Sequence, residues 1–255
     1  MIKLTQPQPL PELLETFITE SSSQKRMMSL NNLVLQVARC TLTILDLTTA
    51  LEPYIVSKEG VYRARAILLY FEILERCKTI ELDEIQLTVL CQFFTSKIKD
   101  IQCTLEAGKA FSILLHRYSQ NKDLSQTYQN FVLEKWLGIF DGDFFNTPSY
   151  QQEIRSCFYG ILFWILEAEV FAAYVKENEL KLIDLVLEHT EGEKDPRNLI
   201  LVLRLWSRIF NSFQEKNLLA YKDRMWDNIG CYFPITFEND SKTSINISKM
   251  DLANS

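Results

Sequence analysis

Helix-start signals recur along this chain at a spacing that few folds permit. Ser57 precedes Lys58-Glu59, Asp100 precedes Ile101, Ser149 opens Ser-Tyr-Gln-Gln, and Asp195 precedes Pro196, at intervals of 43, 49 and 46 residues. Ser149 with Gln152 has the form of a capping box, which pairs two helix-end donors that otherwise lack partners. Asp195-Pro196 is a strong start, because proline at the first helical position surrenders only an N–H with no intrahelical acceptor. HEAT and armadillo units repeat every ~40–47 residues, each a helical hairpin. The intervals therefore predict an all-α chain, a HEAT/armadillo-type α-solenoid of stacked antiparallel hairpins. Outer helices are expected at roughly 30–51, 82–98, 124–140 and 176–190, with another starting near 218.

Apolar residues between the starts keep helical spacing. Ala64, Ile67, Leu68, Phe71 and Leu74 are expected on one face, as are Phe158, Ile161, Leu162 and Ile165. Tyr159, Phe163 and Leu166 make that second helix apolar on its other side too, and Val202, Leu205, Trp206, Ile209 and Phe210 repeat the broad pattern. A helix apolar nearly all round must be covered on both sides, so these are expected inner helices of a stack. Only 7 of 255 residues are Gly, which leaves little material for β-turns. The organisation expected is an N-terminal helix and linker over 1–29, four to five hairpins over 30–237, and a polar linker over 238–255. That last stretch lacks aromatic residues, yet Ser248-Lys249-Met250-Asp251-Leu252 has the form of another helix start. A domain cut from a longer protein, or a truncated gene model, is the expectation.

Composition excludes several function classes. The net charge is −6 and the pI about 5.2, with no run of four Lys or Arg, whereas a phosphate-backbone binder is normally basic at least locally. Glu12, Glu15 and Glu20 interrupt any secretory apolar region. The most apolar stretch, Ser156 to Leu166, is 11 residues, too short to span a bilayer. The sequons at Asn239 and Asn246 are therefore expected to meet no glycosylation enzyme. The six cysteines (40, 77, 91, 103, 157, 231) form no CxxC pair and are expected as buried thiols in a reducing compartment, the cytosol or nucleus.

Catalysis finds little footing. A nucleophile needs a base within hydrogen-bond reach and that base an orienting partner, but the chain has two histidines. His116 falls mid-helix, read as a packed or surface residue; His189 falls at a helix end, expected to complement the C-terminal dipole and carbonyls. No Gly-rich phosphate loop, metal-ligand spacing or cofactor motif occurs, so no enzyme, cofactor or metal is expected.

Two strings stand out instead: Glu191-Gly192-Glu193-Lys194-Asp195-Pro196-Arg197-Asn198-Leu199 and Cys231-Tyr232-Phe233-Pro234-Ile235. The plainer reading of the first is a charged turn between helices, with Gly192 supplying a left-handed residue and Asp195 capping. Lys194 and Arg197 are then solvated or paired locally with Glu191 and Glu193. The functional reading makes the turn a rim element where a partner docks, on Glu191, Glu193, Lys194, Asp195, Arg197 and Asn198. The second string is expected to end a helix, Pro234 refusing its continuation. Cys231 lacks the three companions an iron–sulfur ligand needs and is expected to be a buried thiol.

Both strings resemble the N-terminal domain of the methyl methanesulfonate sensitivity (MMS nineteen) family, which typically shows Asp-Gly-Glu-Lys-Asp-Pro-Arg-Asn-Leu, a helix, then Cys-Tyr-Phe-Pro-Ile. Arg63-Ala64-Arg65-Ala66 before Ile67-Leu68-Leu69 is similar to the family's first inner helix, and Lys97-Ile98-Lys99-Asp100 to its Arg-Leu-Lys-Asp turn. Order and spacing agree over roughly residues 30 to 237. Glu191 departs from the usual Asp, and the proline-rich acidic stretch after the second string is reduced to Glu238-Asn239-Asp240-Ser241.

The resemblance implies a non-catalytic HEAT scaffold of the cytosolic iron–sulfur cluster targeting complex, working in nucleus and cytoplasm. The implied partners are a WD40 propeller protein, a small cluster-carrier protein, and iron–sulfur client enzymes such as the helicase of transcription and repair factor H. Direct nucleic-acid or membrane binding is not expected. The rival readings are a generic HEAT scaffold, such as a transport receptor or regulatory subunit, and a direct DNA-binding repair factor.

Overall fold

The computed structural model describes residues 9–78, 80–119, 125–140 and 146–233. Among them the chain is all-α, with twelve α-helices and no strand. Two compact units divide it, residues 1–118 and 119–255. Helices α1 (Leu10–Thr19), α2 (Ser23–Ala38), α3 (Ile44–Ile55), α4 (Gly60–Arg76), α5 (Glu84–Ile98) and α6 (Thr104–Ser119) make the first. Helices α7 (Gln126–Leu137), α8 (Gln152–Glu167), α9 (Ala172–Glu177), α10 (Glu179–Thr190), α11 (Pro196–Ser212) and α12 (Glu215–Gly230) make the second.

In the first unit α1, α2 and α3 all pack on α4. The helix expected over 30–51 is instead two. Cys40, at φ 55°, ends α2 in a Schellman motif: Thr41 N–H donates to Gln36 O (3.0 Å) and Cys40 N–H to Val37 O (2.9 Å). Thr43 and Asp46 then form a capping box that opens α3. A second box, Asp83 with Gln86, opens α5 where a helix was expected. The face of α4 also differs from expectation. Ile67 and Leu74 are buried, but Ala64, Leu68 and Phe71 are only half-buried, while Ala66, Leu69, Tyr70 and Ile73 are fully enclosed. Three packed neighbours cover a wider arc than one apolar stripe implies.

In the second unit α8 packs against α11. Phe158, Ile161, Leu162 and Ile165 are buried, as are Val202, Leu205, Trp206 and Ile209; burying each such side chain stabilises by about 1.5–3 kcal/mol. Phe210 is the exception: it is 46% exposed, its ring stacked outside Trp206. The helix expected over 176–190 breaks at Asn178, whose side chain and backbone N–H both turn back to Tyr174 O. Among the described residues no single helix is long and apolar enough to cross a membrane; only the pair Gln152–Glu167 and Glu169–Glu177, bent by 76°, has the length and composition together.

Of the four expected caps, only Asp195 caps its helix directly, accepting from Arg197 N–H (3.0 Å) with Pro196 at the first position. Ser57 accepts from Glu59 N–H and α4 begins at Gly60. Asp100 lies four residues before α6, and Ser149 ends a 3-10 turn, donating to Asn146 O. The expected Ser149–Gln152 box is absent because α8 starts at Gln152 itself, after Gln151, and the Gln152 amide bonds Asn198 instead.

Two of the turns are instead tied by tertiary ion pairs. Arg63, fourth in α4, pairs with Asp100 (2.6 Å), and Arg155, fourth in α8, pairs with Glu193 (2.7 Å). Each ties the start of one inner helix to the turn before the next. Arg65 donates to Ile18 O and Glu20 O at the end of α1, Arg117 to Leu74 O and Cys77 O at the end of α4, and Arg208 to Leu166 O at the end of α8. Guanidinium groups thus satisfy carbonyls that helix ends leave without intrahelical donors.

Candidate functional site at the Glu191–Leu199 turn

The turn begins where α10 ends. Glu191 leaves the helix, and Gly192 follows at φ 70° with no atom within 4 Å of where a Cβ would stand. Its requirement is therefore for backbone freedom, not space. The reversal drops the Glu193 side chain into the gap between α8 and α11, where it is 1% exposed.

Glu193 is the hub of the site. Its Oε2 accepts from Arg155 Nε (2.7 Å) and Asn198 Nδ2 (3.1 Å). Its Oε1 accepts from Arg155 Nη2 (2.8 Å) and from the backbone N–H groups of Lys194 and Asp195 (both 2.9 Å). Burial alone would raise its pKa, but the Arg155 guanidinium, the Asp195 N–H and the Asn198 amide outweigh burial and hold the carboxyl below its ordinary value. Asn198, fully buried, also donates to Gln152 O (3.2 Å) and accepts from Gln152 Nε2 (2.9 Å). Arg155 reaches Tyr150 O as well (2.6 Å).

The second string closes the same site. Tyr232, just past α12, accepts from Glu193 N–H (2.9 Å) and donates its hydroxyl hydrogen to Thr190 O (3.2 Å). Burial pushes its phenol up to about 12, so it stays a neutral donor. The two strings, more than thirty residues apart in sequence, are one hydrogen-bonded structure.

The six candidate residues divide sharply. Glu193 and Asn198 face inward and are saturated by internal bonds. Asp195 caps α11 and pairs with Arg197 through Nε (2.9 Å) and Nη2 (2.7 Å), which lowers the Asp195 pKa. Glu191, Lys194 and Arg197 are exposed. The local pairing expected of Arg197 with Glu191 or Glu193 is therefore replaced by Asp195, because Arg155 has claimed Glu193. Arg155 and Thr190 escaped the sequence analysis, Gln152 was expected there only as a cap, and Tyr232 only as part of a string that ends a helix. One signal was available: Arg63 and Asp100 are 37 residues apart, and a matching offset of 38 from Arg155 lands on Glu193.

His189 also departs from expectation. It is buried, its Nδ1 shares a hydrogen with Thr147 Oγ1 (3.0 Å), and the Phe140 ring lies 4.7 Å away. Burial pulls its pKa down to about 4, so it is neutral and cannot complement the helix dipole as a cation. Its own carbonyl instead accepts from Tyr159 (3.0 Å). The cysteines split as well: Cys77, Cys91 and Cys103 are buried as expected, Cys157 is intermediate, and Cys40 and Cys231 are exposed. Both exposed thiols sit just past helix ends, where the chain turns outward. Pro234, Ile235, both sequons and the helix start at Ser248 lie outside the described residues. Among the described residues no group of three or more His, Cys, Asp or Glu converges as metal ligands.

Comparison with known proteins shows the family. Residues 48–255 match the MMS19 N-terminal family model, described as Dos2-interacting transcription regulator of RNA-Pol-II. The chain is 28% identical over 232 residues to the DNA repair/transcription protein MMS19 of Saccharomyces cerevisiae, covering 83% of this chain and 20% of that protein. It is 25% identical over 251 residues to the MMS19 nucleotide excision repair protein homolog of Dictyostelium discoideum, covering 96% and 21%. For the Arabidopsis thaliana homolog the figures are 26% over 253 residues, 98% and 22%. The chain thus spans about a fifth of the length of the curated relatives it matches. With the family match running through both strings and the hub that joins them, the chain belongs to the MMS19 N-terminal family.

Proposed function

We propose that this chain is a non-catalytic scaffold of cytosolic iron–sulfur protein assembly, helping deliver clusters to apo-enzymes of DNA repair, replication and transcription. The observation that carries the reading is the Glu193 hub. The residues most specific to the family are committed to holding α8, α10, α11 and the end of α12 in fixed register, which is the work of a scaffold and not of an active site. The recurring Arg–carboxylate links at Arg63 and Arg155 fit stacked HEAT-type repeats, whose extended surfaces hold several partners at once. The rim of the turn then offers Glu191, Lys194 and Arg197 to an assembly partner, a WD40 propeller protein or small cluster carrier, or to an iron–sulfur client such as the transcription and repair helicase. The relatives' names, DNA repair/transcription and nucleotide excision repair, support a nuclear role, and cluster assembly adds a cytoplasmic one.

The test is an affinity pull-down of the chain from extract of its own cells, at moderate and high salt, read by mass spectrometry. Recovery of cluster-assembly components or iron–sulfur DNA enzymes, weakened by Lys194→Glu with Glu191→Lys, supports the reading. Recovery of unrelated cargo alone leaves a generic helical scaffold and refutes it.

A further inference from the structure

One guanidinium holds two turns of the first unit together. Arg63 Nη1 donates to Ser57 O (2.9 Å) and Lys58 O (3.1 Å), in the turn before α4. Its Nε and Nη2 donate to Asp100 (2.6 and 3.3 Å), in the turn before α6. Asp100 Oδ1 also accepts from Gln102 N–H (3.2 Å), which fixes the shape of the second turn. The contact continues at Gly60, where a Cβ would stand 2.9 Å from Gln102 Cγ, so the Gln102 side chain lies against the start of α4. The two turns therefore present one surface.

The fold does not close that surface. Val56, Val61 and Ile101 are 71%, 53% and 71% exposed. None of the three side chains serves the Arg63 clamp, and turns are ordinarily built from Gly, Pro, Asn, Asp and Ser. Charge at the same turns runs against that of the chain. Residues 56–61 and 97–102 carry Lys58, Lys97 and Lys99 against Glu59 and Asp100, and Arg63 neutralises Asp100. Three cations then face one anion, in a protein of net charge −6. Lys58 and Lys99 are exposed, and Lys97 lies over the Phe93 ring, 5.7 Å from its centroid. Aliphatic contact area flanked by exposed charge is the usual composition of a protein-docking surface. Complementarity then selects a partner bearing carboxylates and repels a basic one. A phosphate backbone would match the charge but gain little from three aliphatic side chains, which offer no ring for a base to stack on.

We propose that the two turns clamped by Arg63 are a docking surface for an acidic protein segment. An apolar side chain of that segment seats on Val56, Val61 and Ile101, and its carboxylates meet Lys58 and Lys99. The surface is separate from the Glu191–Leu199 rim and stands whether or not that rim binds a partner.

The probe is a short fluorescein-labelled peptide of glutamate and leucine, titrated by anisotropy against the full chain at low and moderate salt. Binding should weaken roughly tenfold in Lys58→Glu/Lys99→Glu, and roughly tenfold in Val61→Ser/Ile101→Ser. All four positions are exposed, so thermal unfolding and far-UV circular dichroism should be unchanged. Glu191→Lys/Lys194→Glu should leave the affinity intact, which separates this surface from the other rim. A peptide that ignores the parent chain, or binds both double variants as tightly, overturns the proposal. So does a peptide released only by Glu191→Lys/Lys194→Glu. A labelled DNA duplex bound as tightly as the peptide, lost on lysine reversal and spared by the serine variant, would make the surface a phosphate binder and overturn it too.

Discussion

Replacing Glu193 with glutamine removes one charge and almost no volume, so its effect isolates the hub's electrostatics. Five donors converge on the carboxylate: two from Arg155, one from Asn198, and the N–H groups of Lys194 and Asp195. An amide has a single acceptor oxygen. If that oxygen takes the Oε1 position, the NH2 group faces Arg155 Nε and Asn198 Nδ2. If it takes the Oε2 position, the NH2 group faces Arg155 Nη2 and two backbone donors. Every orientation sets donor against donor and leaves the guanidinium without its counter-charge. Breaking a fully buried pair costs about 3–5 kcal/mol. The Arg155 side chain keeps 17% of its exposure, so the low end of that range applies.

At about 2–4 °C per kcal/mol for a chain of this size, the melting temperature falls by roughly 6–12 °C. The assay is thermal unfolding of the parent, Glu193→Gln and, as a control, Glu191→Gln, whose exposed position predicts less than about 0.5 kcal/mol. Acid supplies the second arm. The folded pKa of Glu193 lies below its ordinary 4.5, so its stabilisation is complete above that value and is lost as pH falls through the folded pKa. The gap between parent and Glu193→Gln must therefore close in acid. A Glu193→Gln chain as stable as the parent at neutral pH, or a gap that survives strong acid, would refute the argument.

Four further outcomes follow from the same geometry. Tyr232→Phe removes the hydroxyl that bridges Glu193 N–H and the Thr190 carbonyl, leaving only their direct bond of 3.3 Å, and should cost about 1 kcal/mol in denaturant unfolding; no loss would mean the bridge between the two strings is idle. Gly192→Ala meets no neighbouring atom, so its cost is the left-handed backbone alone, about 1–2 kcal/mol by thermal unfolding. His189 falls from 6.5 to about 4 on folding, so the unfolded chain binds the extra proton and stability drops as pH falls from 6.5 towards 4, by up to about 3 kcal/mol; His189→Asn should flatten that limb of the pH–stability curve. A thiol reagent should modify Cys40 and Cys231 rapidly in the native chain and reach Cys77, Cys91 and Cys103 only after denaturation.

Much of this architecture could be read before any coordinates. Helical periodicity located the inner helices α4, α8 and α11, and Asp195-Pro196 marked the start of α11 to the residue. Thr43 and Asp46 spelled a capping box within the expected 30–51 helix, but continuous apolar spacing on either side concealed it. Cys40 could not be foreseen as a turn residue, because a left-handed cysteine is held by its neighbours' hydrogen bonds and not by its own preference. At the candidate site, residue types in the Glu191–Leu199 string indicated capping and exposed charge. Nothing local distinguished buried Glu193 from exposed Glu191, since both are glutamates beside the same glycine.

By itself, the sequence determined the helical class, the period of the helix starts, the left-handed Gly192, the Asp195 cap and the family. These depend on interactions within a few residues, or on a pattern repeated along the chain. Only tertiary structure decided that Glu193 is a hub, that Tyr232 serves the same turn, that Gln152 abandons its cap for Asn198, and that His189 is neutral. Each of those depends on which group from a distant helix arrives first at a buried donor or acceptor. Once water is excluded the unpaired alternative is too costly to persist, so packing assigns the partners.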